Sequence, residues 1–153
     1  MTRYELLEIL KEYLKEAKID CFVAEVKGIP VLKATLTGLG DNNDGSAITE
    51  INFIDFDELG APALQAFTTV ALNLDKDNLE PCELELRDYN LKYVVIGSFH
   101  VYEPYRQIYH RYAQVLVGDD AEQVEQAKAM LNVVSTQISA CYDDILRYAE
   151  DAE

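Results

Sequence analysis

The last fifth of the chain constrains the fold more than any other stretch. From Asp119 to Ala149 there is neither glycine nor proline, and Val124, Ala127, Leu131, Val134, Ile138, Cys141, Ile145 and Tyr148 recur at 3-4-3-4-3-4-3 spacing. That period belongs to one continuous amphipathic helix. At about 1.5 Å per residue, its four heptads make a rod roughly 45 Å long. A seam of that length requires an equally long apolar surface. The domain's own sheet or a helix of a second protomer could supply it, and the sheet is the favoured partner.

The upstream sequence holds enough strand signal to build such a sheet. Thr2 and Glu5 form a capping box. Leu6, Leu10, Tyr13 and Ala17 continue from it at 4-3-4 spacing, which predicts a first helix over 3–18, with Lys15 and Lys18 suiting its C-terminal end. CFVAEVKG and PVLKATLTG predict two strands joined by a turn at Gly28-Ile29-Pro30, and GLGDNNDGS (38–46) predicts an exposed loop. A third strand is expected over Ile48–Phe56, with Thr49, Ile51 and Phe53 alternating against Ile48, Glu50 and Asn52. Residues 63–74 fit both helical and strand spacing, and the β-branched Thr68-Thr69-Val70 tips them to strand. A helix over 78–89 follows, opened by an Asp77/Glu80 capping box, buried through Leu79, Cys82, Leu86 and Tyr89, and closed by Asn90 in the left-handed conformation. The run from Tyr93 to Gly118 then predicts a hairpin around Glu103-Pro104-Tyr105-Arg106. The expected architecture is a single α+β domain over 1–153. In it an antiparallel sheet is flanked by an N-terminal helix, a middle helix and a long C-terminal helix.

Composition narrows the function classes. The chain has 28 acidic and 13 basic residues among 153, a net charge of −15. That charge repels phosphate backbones and anionic lipid, so neither nucleic acid nor a membrane is an expected partner. No apolar run approaches a bilayer span, and the amphipathic start does not resemble a signal peptide. Cys21, Cys82 and Cys141 are isolated, odd in number and set at apolar positions. They read as buried small hydrophobes in a cytoplasmic protein.

Motifs that carry chemistry are sparse. Gly40-Asp41-Asn42-Asn43-Asp44-Gly45 has the composition of a calcium loop, but registering Gly45 at the sixth position puts Gly40 and Ile51 where carboxylates are required. It reads as an Asx-rich turn. If Pro104-Tyr105-Arg106 is a three-residue loop, His100 and His110 face each other across the hairpin, yet no third metal ligand is evident. Ser98 and His100 share a strand face and could form a dyad, but no acidic orienter is identifiable, and the two histidines read as surface side chains of the sheet. Carboxylate pairs such as Glu83/Glu85, Asp55/Asp57 and Asp143/Asp144 are what a strongly acidic chain scatters by composition. Phosphate-binding and nucleophile-elbow motifs are lacking, so no catalytic residue, cofactor or metal is assigned.

Aromatic crowding is more suggestive. Six of ten tyrosines, namely Tyr89, Tyr93, Tyr102, Tyr105, Tyr109 and Tyr112, fall within 24 residues, with Arg106, His110 and Arg111 among them. Tyrosine and arginine concentrate at interface hot spots. Tyr93, Tyr102, Tyr105, Arg106, Tyr109 and Tyr112 are therefore the candidate protein-binding residues.

From Leu64 onward, LQAFTTVALNLD, ELRDYNLKYVVIGSFHVYE and IYHRYAQVLV followed by a long terminal helix resemble the YbjN-type proteins, whose fold is that of type III secretion chaperones. Asn90 followed by Gly97-Ser98-Phe99 at the head of a hairpin is the most telling piece. The DNNDG loop and the Ile48–Phe56 strand depart from the family's pattern. The resemblance implies a helix-flanked antiparallel sheet, often as a homodimer, with no catalytic residues. Chaperones of this fold hold extended segments of a client. The expected function is a non-enzymatic, chaperone- or adaptor-like module, with two rivals: an acidic immunity-type inhibitor of a basic toxin, and a small-molecule-binding protein or enzyme.

Overall fold

Six strands make one antiparallel sheet in the order β1-β2-β3-β4-β6-β5. The computed structural model describes residues 1–55, 58 and 60–150. Phe56 of the expected third strand, Asp57 of the Asp55/Asp57 pair and the terminal 151–153 lie outside the described residues. The elements are α1 (Arg3–Glu16), β1 (Cys21–Val26), β2 (Ile29–Leu39), β3 (Gly45–Ile54), β4 (Ala63–Ala71), α2 (Leu79–Tyr93), β5 (Ser98–Tyr102), β6 (Gln107–Val115) and α3 (Asp120–Glu150). The fold is α+β, with the three helices in the expected places. No helix among the described residues is long and apolar enough to cross a membrane.

Alternation assigns the two sheet faces. Leu32, Ala34, Leu36, Ala47, Ile51, Leu64, Ala66, Val70, Phe99 and Ile108 point to one face and are buried. On that face they join Leu6, Leu7, Leu10 and Leu14 of α1, Cys82, Leu86 and Tyr89 of α2, and the α3 seam in one core cluster. The seam therefore lies on the chain's own sheet. Residues 63–71 resolve as strand because Leu64, Ala66, Thr68 and Val70 turn inward together, a two-residue period that a helix would break. Thr49 and Thr68 are cross-strand partners, and their hydroxyls meet at 2.9 Å in the core, so neither is left unpaired.

Several boundaries differ from expectation, each for a visible reason. The α1 capping box is present, with the Glu5 amide donating to the Thr2 hydroxyl and the Thr2 amide to the Glu5 carboxylate. At α2 the expected Asp77/Glu80 box is absent. Asp75 instead accepts from the Asp77 amide and caps a 3₁₀ turn at Lys76–Asn78 that leads into the helix. Asn78 is buried there, and its amide donates to the Ala149 carbonyl near the end of α3. The 38–46 loop is shorter than expected, because β2 runs to Leu39 and β3 begins at Gly45. It is also pinned to α3: the Asp41 amide donates to Asp143 at 2.8 Å, and the Tyr142 ring lies where a Cβ on Gly45 would stand.

Asn90 does not end α2 in the left-handed conformation. The helix continues to Tyr93, and the Asn90 side chain turns to the edge of the sheet. Its amide donates to the Phe99 carbonyl and its oxygen accepts from the Phe99 amide, both at 2.8 Å. An asparagine offers the same donor–acceptor pair as a peptide group, so Asn90 acts as one residue of a seventh strand. Replacing Asn90 with alanine orphans both Phe99 groups and is expected to lower stability by about 2 kcal/mol, as read by urea unfolding. Asn90→Asp keeps an acceptor and loses the donor, and is expected to fall between wild type and alanine. Equal stabilities of all three chains would refute the clamp.

Candidate functional site

The hairpin register decides what the aromatic cluster can do. Tyr102 pairs with Gln107, so four residues, Glu103 to Arg106, form the loop. Glu103–Tyr105 is a 3₁₀ turn and Arg106 takes the left-handed conformation at φ 49°, its carbonyl accepting from the Leu74 amide. The expected three-residue loop would have paired His100 with His110. The extra residue shifts the register by one, so His100 pairs with Tyr109 and His110 with Phe99. A one-residue slip exchanges faces. His100 stands on the outer face and His110 is fully buried on the inner one, which corrects both the facing-pair geometry and the surface reading of His110.

The same alternation sorts the candidate residues. Tyr102 and Tyr109 share the outer face, on the diagonal of the β5–β6 pair, with ring centroids 6.2 Å apart. Tyr105 at the tip lies 5.4 Å from Tyr102, and Arg106 follows it exposed. Tyr109 stacks on Phe67 of β4 at 4.7 Å and lies 6.0 Å from His100. Tyr112, an odd number of positions from Tyr109, turns inward and packs against the core. Tyr93 is exposed at the end of α2, in a separate groove beside α3. Tyr89 is buried, donating to Asp144 at 2.9 Å, and burial, more than its hydrogen bonds, pushes its phenol far above the usual range. The structure thus unites Tyr102, Tyr105, Arg106 and Tyr109, adds Phe67 and His100, and separates Tyr93 and Tyr112. Phe67 was invisible from sequence because it lies some forty residues away and joins only through the β4–β6 pairing.

This outer face carries no helix among the described residues. Beside the aromatic strip runs a polar belt in which Lys33 pairs with Glu50 at 3.4 Å and Arg111 donates to Gln65 at 2.5 Å. Beyond it Phe22, Val26, Ile29 and Ile48 are exposed on the β1–β3 side.

Sequence reasoning also missed an acidic partner for Ser98-His100. His100 Nδ1 lies 3.0 Å from Glu83 Oε1, and Nε2 lies 2.9 Å from the Ser98 hydroxyl. An ionised carboxylate only accepts, so Nδ1 donates to Glu83, and Nε2 and the Ser98 hydroxyl share the second hydrogen bond. Hydroxyl, imidazole and carboxylate stand in the order of a hydrolytic relay. The surroundings favour a tether instead. Glu83 Oε2 accepts from the Val101 amide and Asn90 from the Phe99 amide, while the intervening Ser98 and His100 face β6 in the ladder. The backbone donors from Ser98 to Val101 are thus committed, leaving none of them to stabilise an oxyanion. What the arrangement does visibly is fasten α2 to β5.

Two of the thiols are poor nucleophiles. Burial pushes Cys82 up to about 11, with Glu85 and Glu83 adding to the rise, and burial also raises Cys21. No protein-family model matches this chain, and no curated protein matches it at a significant level.

His110 supplies a test of the inner face. Its Nε2 donates to the Ile96 carbonyl at 3.0 Å, Nδ1 is buried with no partner among the described residues, and burial lowers its pKa from the ordinary imidazole value. The unfolded chain therefore binds a proton that the folded chain refuses. This contribution is complete above about pH 6.5 and is lost as pH falls from there toward the depressed folded value. His110→Gln keeps a donor for Ile96 and removes the titration. The difference in unfolding free energy, wild type minus variant, is expected to fall between pH 7.5 and 5, and a flat difference would show that His110 is not held neutral.

Proposed function

We propose that the chain is a non-enzymatic protein-binding module, chaperone- or adaptor-like, that holds an extended basic segment of a partner protein on its outer sheet face. The observation that carries this reading is the aromatic strip of Tyr105, Tyr102, Tyr109 and Phe67 on a face that no helix among the described residues covers. Aromatic rings give large contact area at low entropy cost, and their faces attract cations. The net charge of −15 selects basic over acidic partners and speeds their encounter. An extended segment suits a pleated surface because alternate side chains reach it. The element order that resembles YbjN-type proteins supports the same reading, and three free cysteines suit a reducing compartment such as the cytoplasm.

The net charge also favours a second reading, an acidic immunity-type inhibitor of a basic toxin. Salt separates the two, because charge-led association weakens steeply with ionic strength while aromatic contact does not. The direct test is fluorescence anisotropy with a synthetic peptide alternating lysine and aromatic residues, and with a glutamate-for-lysine version. The lysine peptide is expected to bind and the glutamate peptide not. Tyr105→Ala with Tyr109→Ala is expected to weaken binding at least about tenfold, the loss of two hot-spot rings. Binding that ignores both tyrosines but collapses with salt would transfer support to the inhibitor reading. Equal binding of the two peptides would sink both.

A further inference from the structure

One row across the inner face of the sheet gathers the buried polar side chains of its strands. Register places Cys21, Ala34, Thr49, Thr68, His110 and Phe99 side by side from one edge to the other. On β2 the inward positions run Leu32, Ala34, Leu36, and the small Ala34 lies directly opposite the small Thr49 of β3. Between this pair and α3 lies a cavity of about 50 Å³, walled by Leu14 of α1, Leu36, Ile51, and Leu131 and Val134 of α3. That is room for about four non-hydrogen atoms. The cavity reaches solvent at Ile19, Asn132 and Ser135, the lining residues that are not buried.

The lining decides what such a space can hold. No charged side chain among the described residues lines it, so a carboxylate or an ammonium would lose its hydration there without gaining a partner. A wholly apolar molecule would leave hydrogen-bonding capacity unused. Thr49 and Thr68 share a single hydrogen bond of 2.9 Å, and neither hydroxyl has another partner among the described residues. Each hydroxyl carries its own hydrogen, so one of the two is spare.

The next member of the row says which. His110 lies opposite Thr68, on the side away from Thr49. Its Nε2 donates to Ile96, which leaves Nδ1 an acceptor with no partner among the described residues. In a low-dielectric core the field of that lone pair turns the Thr68 hydrogen towards it, and Thr49 then donates to Thr68. The Thr49 oxygen keeps a lone pair for the cavity whose wall it forms. What matches is a hydrogen-bond donor on an uncharged aliphatic body. At the mouth, Asn132 and the Tyr13 hydroxyl exchange hydrogen bonds of 3.1 and 2.8 Å between α3 and α1, a solvent-exposed latch that water can replace.

We propose that this cavity binds a small uncharged alcohol of about four carbons, its hydroxyl donating to Thr49 and its hydrocarbon filling the space above Ala34. The site goes beyond the segment-binding reading and lies on the opposite face of the sheet, so either can fail alone.

Methyl proton–carbon correlation NMR of the full chain, titrated with butan-2-ol, tests it. A ligand of about five non-hydrogen atoms binds no tighter than about micromolar, and saturable shifts at Ala34, Leu36 and Val134 are expected with a dissociation constant of about 1 mM. Butanone, which only accepts, is expected to bind at least about fivefold more weakly, the worth of one hydrogen bond. Butyrate and butylammonium are expected to leave these methyls unmoved. Ala34→Val fills the floor of the cavity and is expected to weaken alcohol binding at least about tenfold. Thr49→Val is expected to bind alcohol and ketone equally, while Thr49→Ser keeps the preference, which separates a lost hydroxyl from a disturbed core. Native-chain shifts that stay linear to about 50 mM would overturn the proposal. So would equal binding of alcohol and ketone by the native chain, or a folded Thr49→Val chain that still prefers the alcohol.

Discussion

Burial of the α3 seam against a single sheet face governs the rest of the molecule. A helix of 31 residues crosses the sheet and packs against β2, β4 and β6 as well as α1 and α2. Its apolar stripe fixes which side of every strand must be hydrophobic, because side chains alternate and one slip would carry a whole strand's apolar set to the wrong face. With α1, α2 and α3 all committed to that side, no helix among the described residues covers the other. The open face is therefore a consequence of how the long helix is satisfied, and the aromatic residues that collect there need a separate account. Structural packing cannot provide it, since Tyr102 and Tyr105 contribute little to any core.

The edge of the sheet is treated differently from its face. β5 ends the sheet and would ordinarily present free backbone groups to any passing strand. Here α2 supplies side chains in place of a neighbour: Asn90 takes both groups of Phe99, and Glu83 takes the Val101 amide while holding His100. Gly97 enters this arrangement at φ +63°, where a Cβ would come within 2.7 Å of the His110 ring and 2.5 Å of the Arg111 carbonyl. Only glycine combines that turn with such close approach. The clamp, the glycine and the buried imidazole are thus parts of one device that sets β5 beside β6.

Much of the fold was legible because its signals are local and periodic. The α3 seam, the α1 cap and the inward set Thr49, Ile51 and Phe53 each follow from spacing within one element. What could not be read depends on single-residue counts or on contacts distant in sequence. Whether the hairpin loop has three residues or four is a local ambiguity with a global result, since it decides whether His100 and His110 share one face of the sheet or lie on opposite faces. Asn90 carried a plausible C-cap signal, but tertiary hydrogen bonds to Phe99 outweigh that preference. Glu83 as the partner of His100, and Phe67 as the partner of Tyr109, arise only when α2 and β4 are placed in space.

These features restrict how a partner could be held. Recognition by strand addition requires an edge whose amides and carbonyls are free. At β5 the outward groups of Phe99 and the Val101 amide are already engaged, so a segment approaching the hairpin meets side chains and not main chain. Affinity there must come from ring surface and charge, which tolerate many sequences, rather than from a backbone ladder that fixes register. A module that had to discriminate sharply would lack the means at this site. One that had to hold varied basic segments loosely would be well served by tyrosine rings in tilted and edge-on contact, set on a sheet whose other face is locked by α3.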